Sequence, residues 1–298
     1  MEQHNYDVVI VGGGAAGLSA ALVLGRARRK VAVVDAGAPR NAPAAHMQGF
    51  LSRDGMAPAD FLEVGRGEVT GYGVEIIDGA VTEIEPGFVV RLASGETLDA
   101  WRILLTTGVS DDLPAIPGVR ERWGRDLLHC PYCHGWEVRD QPLGVLGTHP
   151  GAVLHALLIR QWSDDVVYFV HTSDVSALER TQLEARGISV VDGEVIELVV
   201  DDDQLVGVKL ADGRVVARTA VFIRPRNVPH PDGLLAGLGI DLSPEGFVAV
   251  DRDGRTSTPG VSAAGNIVDP RGSVIAAAGA ATTAAMAINA DLVHERRF

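Results

Sequence analysis

The segment His129-Cys130-Pro131-Tyr132-Cys133-His134-Gly135-Trp136 holds both cysteines of the chain. Thiols at this spacing sit one helical turn apart, close enough to bridge, and a helix start beneath them lowers a thiol pKa. The chemistry this favours is two-electron exchange between a dithiol and a disulfide. Zinc is a second reading, with His129 and His134 as further ligands, but no second pair stands at finger-like spacing, and no metal site is assigned. Covalent haem at Cys-x-x-Cys-His is a third reading, and two inert buried thiols a fourth. His134 can move protons near neutral pH, the ordinary histidine pKa being about 6.5. His129 reads better as a residue whose ring is satisfied locally. Tyr132 and Trp136 read as residues that pack the loop.

A second chemical signal is Gly12-Gly13-Gly14-Ala15-Ala16-Gly17, which contains Gly-x-Gly-x-x-Gly. It follows an apolar strand, Tyr6 to Val11, and precedes a helical run, Leu18 to Ala27. The acid Asp35 stands at the end of the next strand, Val31 to Val34. In that context Gly12 allows the tight turn, Gly14 lets the backbone approach a pyrophosphate, and Gly17 lets helix and strand pack closely. Ala15 and Ala16 open the helix whose N–H groups and dipole face the diphosphate. Asp35 can accept hydrogen bonds from the ribose hydroxyls.

The elements that must position these residues read as two nucleotide-type units in an α/β chain. In the first, further strands are expected at Val74 to Ile77, Phe88 to Leu92 and Arg102 to Leu105, followed by a turn-rich crossing from Thr107-Gly108 to Pro117-Gly118. In the second, Leu143 to Leu146 is a strand, Gly147 to Gly151 a turn, Ala152 to Trp162 a helix and Val166 to Val170 a strand. A strand from Val216 to Ile223 and a Pro-rich stretch through Pro231 follow. Short strands at Val248 to Val250 and Val261 to Ala264, and a helix of small residues from Val274 to Val293, close the chain.

The net charge of -13 argues against nucleic acid and anionic membrane surfaces as partners. The chain enters a strand almost at once, without a secretory leader pattern. Its longest weakly apolar run, Val274 to Ile288, is short for a bilayer span. A cytoplasmic protein is expected.

Thr258-Pro259-Gly260-Val261-Ser262-Ala263-Ala264-Gly265-Asn266 resembles the second FAD motif of flavoprotein disulfide reductases, with Asn266 where that family usually has Asp. Together with the cysteine motif, which precedes the turn at Gly147, this makes nearly the whole chain similar to the low-molecular-weight thioredoxin reductase family. The resemblance implies two Rossmann-like domains. The FAD domain, 1–115 and 232–298, is split by an inserted NAD(P)-type domain, 116–231, that carries the cysteines. It also implies bound FAD and a homodimer. Arg40, Asn41, Thr107, Gly108, Gly265, Asn266, Ser273 and Val274 complete the expected FAD contacts. Cys133 is implied to be nearer the flavin, and Cys130 to exchange with substrate.

Thioredoxin reductases carry an acid directly after the second cysteine, whereas this chain has His134. Cys-Pro-Tyr-Cys-His-Gly-Trp-Glu is more like the branch that oxidises natural-product dithiols, the gliotoxin- and holomycin-type dithiol oxidases. The expected activity is therefore oxidation of a small-molecule dithiol through Cys130 and Cys133, with electrons passing by FAD to oxygen. The alternative is a reductase that carries electrons from NAD(P)H or ferredoxin to the disulfide of a thioredoxin-like protein. NADPH is not expected as the donor. The turn Gly147-Thr148-His149-Pro150-Gly151-Ala152 puts His149 where backbone must approach pyrophosphate. The next strand ends His171-Thr172-Ser173-Asp174, with no arginine for a 2′-phosphate.

Overall fold

The computed structural model describes residues 5–230 and 232–295. The chain divides into two compact units. Unit 2 gathers Pro43–Ala57 and Asp111–Arg226, and unit 1 the rest of the described chain.

Unit 1 begins with β1 (Tyr6–Val11), α1 (Ala15–Arg26), β2 (Val31–Asp35), α2 (Pro58–Thr70), β3 (Glu75–Asp78), β4 (Val81–Glu85), β5 (Val89–Leu92) and β6 (Thr97–Leu105). Val8, Val9 and Ile10 of β1 are fully buried, as an apolar run between two parallel neighbours requires. β1 lies between β2 and β6, with Ile10 opposite Val33 and Leu104. β4 and β5 extend the sheet antiparallel. The chain leaves along β7 (Val109–Asp112).

In unit 2 come α3 (Val119–Arg122), β8 (Leu127–Leu128), α4 (Pro131–His134), β9 (Leu143–Leu146), α5 (Ala152–Ile159), β10 (Val166–Phe169), α6 (Ala177–Ala185), β11 (Ser189–Val191), β12 (Val195–Asp201), β13 (Gln204–Leu210), β14 (Val215–Val216) and β15 (Ala220–Ile223). Its main sheet has the order β11-β10-β9-β15-β8, every pairing parallel. β12, β13 and β14 form a separate antiparallel sheet. β16 (Arg226–Pro229) pairs with β7, and the chain crosses between units within these two strands. α7 (Asp232–Leu238), β17 (Val261–Ala263) beside β6, and α8 (Val274–Glu295) complete unit 1.

The α/β class with two parallel-sheet units is as expected, and several boundaries move. The expected cuts after residues 115 and 231 fall a few residues beyond the observed crossings at β7 and β16. Residues 43–57 join unit 2: Met47 bridges Met56 to close the segment, and Gly124 packs against the Pro43 backbone. The single strand expected from Val216 to Ile223 is two. β14 belongs to the antiparallel sheet and β15 to the parallel one, and Thr219 N–H turns aside to the Pro142 carbonyl. Val248 to Val250 forms no ladder, only a bridge from Val248 to Leu242. The final helix exceeds the apolar run seen in sequence. At 22 residues, with a mean hydropathy of 1.2 over an 18-residue window, α8 has the length and composition to cross a bilayer. Instead its Ala281, Ala284, Ala285 and Ile288 pack with Ala20, Ala21 and Leu24 of α1 in one buried cluster.

Candidate functional site

The redox turn is built at the C-terminal end of β8. Leu127 is buried with residues of β12 and β13 and Leu128 with residues of α5, and the chain then leaves the ladder. Cys130 is the N-cap of α4, in extended conformation, and Pro131 follows at the first helical position, where its missing N–H costs nothing. The Cys130 carbonyl accepts hydrogen bonds from Cys133 N–H and His134 N–H, both at 3.1 Å. That turn holds the two cysteines at i and i+3 on one helical face, and both are half-buried. Gly135 is required beneath them. A Cβ there would lie 2.9 Å from the Trp162 ring and 2.5 Å from the Pro131 carbonyl oxygen.

His134 closes the turn. Burial holds its pKa below the ordinary histidine value, against the opposing pull of the Glu137 carboxylate. Its Nδ1 is buried without a hydrogen-bond partner. The imidazole is therefore neutral at pH 7, a proton acceptor adjoining the second cysteine. Tyr132 and Trp136 each make one packing contact and are otherwise exposed. They are 73% and 66% exposed, Tyr132 meeting Trp162 edge-on and Trp136 lying beneath the Arg139 guanidinium. Arg139 covers one face of Trp136, and the rest of each ring is exposed. Among the described residues no group of three or more His, Cys, Asp or Glu is placed to hold a metal ion.

Sequence reasoning missed His155 on α5, a buried residue whose Nε2 lies 2.9 Å from the His129 carbonyl oxygen. Its signal was a lone polar side chain in the otherwise apolar helix AVLHALLI.

The dinucleotide-type turn of unit 2 is filled by its own side chains. His149 Nδ1 accepts a hydrogen bond from Gly151 N–H at 3.0 Å, and the His149 carbonyl accepts one from Ala152 N–H. An Arg224 nitrogen lies 2.4 Å from where a Gly151 Cβ would stand. Gly147 is packed against the Val170 carbonyl, Ser173 and the Tyr168 hydroxyl at the end of β10.

The corresponding turn of unit 1 is open. Gly12 has φ +109, and a Cβ on it would strike the Thr106 carbonyl oxygen at 2.5 Å. A Cβ on Gly17 would lie 1.9 Å from the Gly12 carbonyl oxygen, so helix and strand meet there only through glycine. A Cβ on Gly14 meets nothing within 4 Å. Gly14 is the N-cap of α1 and has no side chain to cap it, so the helix start at Ala15 and Ala16 has no side-chain cap from that residue. Thr106 Oγ1 donates into this turn, to the Val11 and Gly12 carbonyls, a contact the sequence did not disclose.

Asp35 lies under Gly13, paired with Arg66 and accepting from Gly37 N–H. Arg40 donates to the Pro270 carbonyl at 2.7 Å and so ties the chain after Asp35 to the loop before α8. Asn41 is half-buried in the same segment. Thr107 Oγ1 donates to the His230 carbonyl, and Gly108 takes a positive φ beside it. Gly265 also has positive φ, and a Cβ on it would lie 2.9 Å from the Ala16 Cβ. Asn266 uses its amide Nδ2 to donate to the Asp269 and Gly272 carbonyls, each at 2.9 Å, a role Asp cannot fill. Ser273 and Val274 begin α8, with the Ser273 carbonyl accepting from Ala277 N–H.

The family model for pyridine nucleotide-disulphide oxidoreductases matches residues 6–287. The chain belongs to that family. Within this family of flavin-dependent disulfide oxidoreductases, a thioredoxin reductase tcpT from Claviceps purpurea is 31% identical over 87% of this chain and 86% of that protein. A probable thioredoxin reductase from Arthroderma benhamiae is 37% identical over 58% of this chain, but the match spans 46% of that longer protein. The crystal structure of HlmI is 59% identical, with a TM-score of 0.95 over 97% of this chain and 93% of that one. The likeness to thioredoxin reductases read from the cysteine and glycine motifs is thereby established, and the protein is an enzyme. The family implies FAD, and the open turn at Gly14 with its uncapped helix fits the diphosphate of that group.

Proposed function

We propose that the protein oxidises a small-molecule dithiol to a disulfide through Cys130 and Cys133, with electrons passing by way of FAD to oxygen. The observation that carries this reading is the contrast within unit 2. The redox turn is intact, while the dinucleotide-type turn is occupied by its own His149 and Arg224. A nicotinamide dinucleotide needs the Gly151 amide and the space above it for its pyrophosphate.

Cys130 and Cys133 start as a disulfide. A substrate thiolate attacks Cys130, the Cys130–Cys133 bond breaks, and Cys133 leaves as a thiolate. The second substrate thiol, deprotonated with His134 as acceptor, then displaces Cys130 and completes the substrate disulfide. The enzyme is left with two electrons on its dithiol. FAD, when bound, would supply the two-electron chemistry by which the pair returns to a disulfide and oxygen is reduced to peroxide. Gly12, Gly14, Gly17, Asp35 and Asn266 would hold that group in unit 1. The exposed faces of Tyr132 and Trp136 suit a small apolar substrate at Cys130.

A reductase acting on a thioredoxin-like protein is the second reading, favoured by the names of the curated relatives. Anaerobic stopped-flow separates the two. Oxidised holoenzyme is mixed with NADPH, NADH or a small dithiol while flavin absorbance is followed. Bleaching by dithiol alone, reversed by air with peroxide release, supports the oxidase. Rapid bleaching by micromolar NADPH overturns it.

A further inference from the structure

α5 is an apolar helix of eight residues apart from His155. That side chain is 7% exposed, and its helix neighbours Ala152, Ala156 and Ile159 and the facing Phe222 ring belong to one buried cluster. Packing alone would be met by leucine, so a polar group here calls for a polar reason. Its Nε2 stands 2.9 Å from the His129 carbonyl oxygen. A carbonyl only accepts, so Nε2 carries the proton and donates, and Nδ1 is the bare nitrogen, buried without a partner.

The accepted carbonyl has a particular place. β8 ends its ladder at Leu128, opposite Phe222, and α4 begins with Cys130 as N-cap. The His129–Cys130 peptide lies between strand and helix. His155 also packs edge-on against the His129 ring and against Phe222, both at 6.1 Å, which locks its own orientation. Burial, with the nearby His129 and Arg224 charges, pulls its pKa down to about 3. The donor therefore does not change across the working pH range.

We infer that His155 is a positioning residue for the redox pair, its Nε2–H clamping the His129 carbonyl and so fixing the peptide that delivers Cys130 to the turn. From Cys130 the constraint passes to Cys133 and His134, whose N–H groups both bond the Cys130 carbonyl. Loss of the clamp lets Cys130 drift relative to Cys133, and a displacement of about 1 Å at a reacting group lowers rate by on the order of 10²-fold.

The inference rests on the dithiol–disulfide reading of the cysteines, and its test has an arm that needs no turnover. His155→Phe keeps a ring and removes the donor, whereas His155→Gln keeps a donor. In the Cys133→Ser background, alkylation of Cys130 in holoenzyme by iodoacetamide is followed against pH. The Phe variant should displace the rate–pH curve and Gln should restore it. With Cys133 present, dithiol-driven flavin bleaching should slow by on the order of 10²-fold in Phe and recover most of the way in Gln. Should Phe not accumulate as holoenzyme, His155→Met, also without a donor, replaces it. An unshifted alkylation curve in the donorless variant overturns the inference. So does equal impairment in Phe and Gln, which marks a residue that only fills space. If no dithiol bleaches the flavin of the unmodified enzyme, the oxidase reading fails, and the alkylation curves still decide the role of His155.

Discussion

Gly14 and Gly17 stand three residues apart and carry opposite consequences. A side chain at Gly17 would collide with the Gly12 carbonyl, so Gly17→Ala is expected to damage the fold itself. A side chain at Gly14 meets only open space, so Gly14→Val should leave a folded protein that has lost FAD. Flavin absorbance of the purified variant, with circular dichroism as control, checks this. A yellow Gly14→Val protein would place the diphosphate elsewhere. His134 is the other residue whose environment assigns it a task. Because burial lowers its pKa, it remains a proton acceptor below pH 6.5, where an ordinary histidine is mostly protonated. His134→Ala should slow the dithiol half-reaction by roughly 10²–10⁴-fold while FAD stays bound. It should also remove the acid limb of the pH–rate profile, which in the unmodified enzyme lies below pH 6.5. An unchanged profile would leave His134 as packing alone.

At the scale of elements, unit 2 is held by one charged cluster as well as by its core. Arg122 of α3 is 4% exposed. It pairs with Asp126 just before β8, and with Asp203 in the turn between β12 and β13. Asp126 also accepts Leu205 N–H at 2.9 Å. The cluster thus joins α3, the approach to the redox turn and the β12–β13 hairpin. Asp126→Ala leaves the Arg122 guanidinium with Asp203 alone and the Leu205 amide without its acceptor, which costs about 2 kcal/mol. Urea unfolding followed by tryptophan fluorescence should show that loss, since Trp123, Trp136 and Trp162 all lie in unit 2; a change under 1 kcal/mol would mean solvent screens the pair. None of this cluster was legible in sequence, because a salt link between residues 122 and 203 has no local signature. What was legible is local. β1, β9, the glycine turns and the redox turn follow from runs of a few neighbouring residues. The β12–β13 hairpin and α6 went unread because alternating valines and a charged amphipathic run were passed over. Strand Val216 to Ile223 was misjoined because its two halves have similar composition and serve different sheets. The role of His155 depends on a contact to residue 129 that only the fold creates.

For the whole molecule, the placement of one buried and three half-buried histidines sets how stability answers to pH. His134, His149, His155 and His171 all lie in unit 2, and burial is the first cause of a lowered pKa at each. An unfolded histidine titrates near 6.5. Between that value and the lower native ones, the unfolded chain binds more protons than the folded one. Stability therefore rises with pH across this window and is fully present only above about 6.5. The lowered carboxylates of Asp203, Asp212 and Glu179 act in the same direction, but only as pH falls through the ordinary carboxylate range near 4. The interval from pH 6.5 to 5 belongs to the histidines. One effect opposes them: acidification reduces the net charge of -13 and with it the self-repulsion of the folded chain. At 0.15 M salt the screening length is about 8 Å, so this diffuse gain is small beside the burial of specific rings. Each histidine protonated only when unfolded contributes a slope of about 1.4 kcal/mol per pH unit. The urea midpoint of unit 2 should accordingly fall as pH is lowered from 7 to 5. His155, with its pKa near 3, stays neutral throughout, so His155→Gln should flatten the slope by up to one proton. A midpoint that holds constant or rises over that interval would show that these rings are charged, and thus solvated, in the native protein.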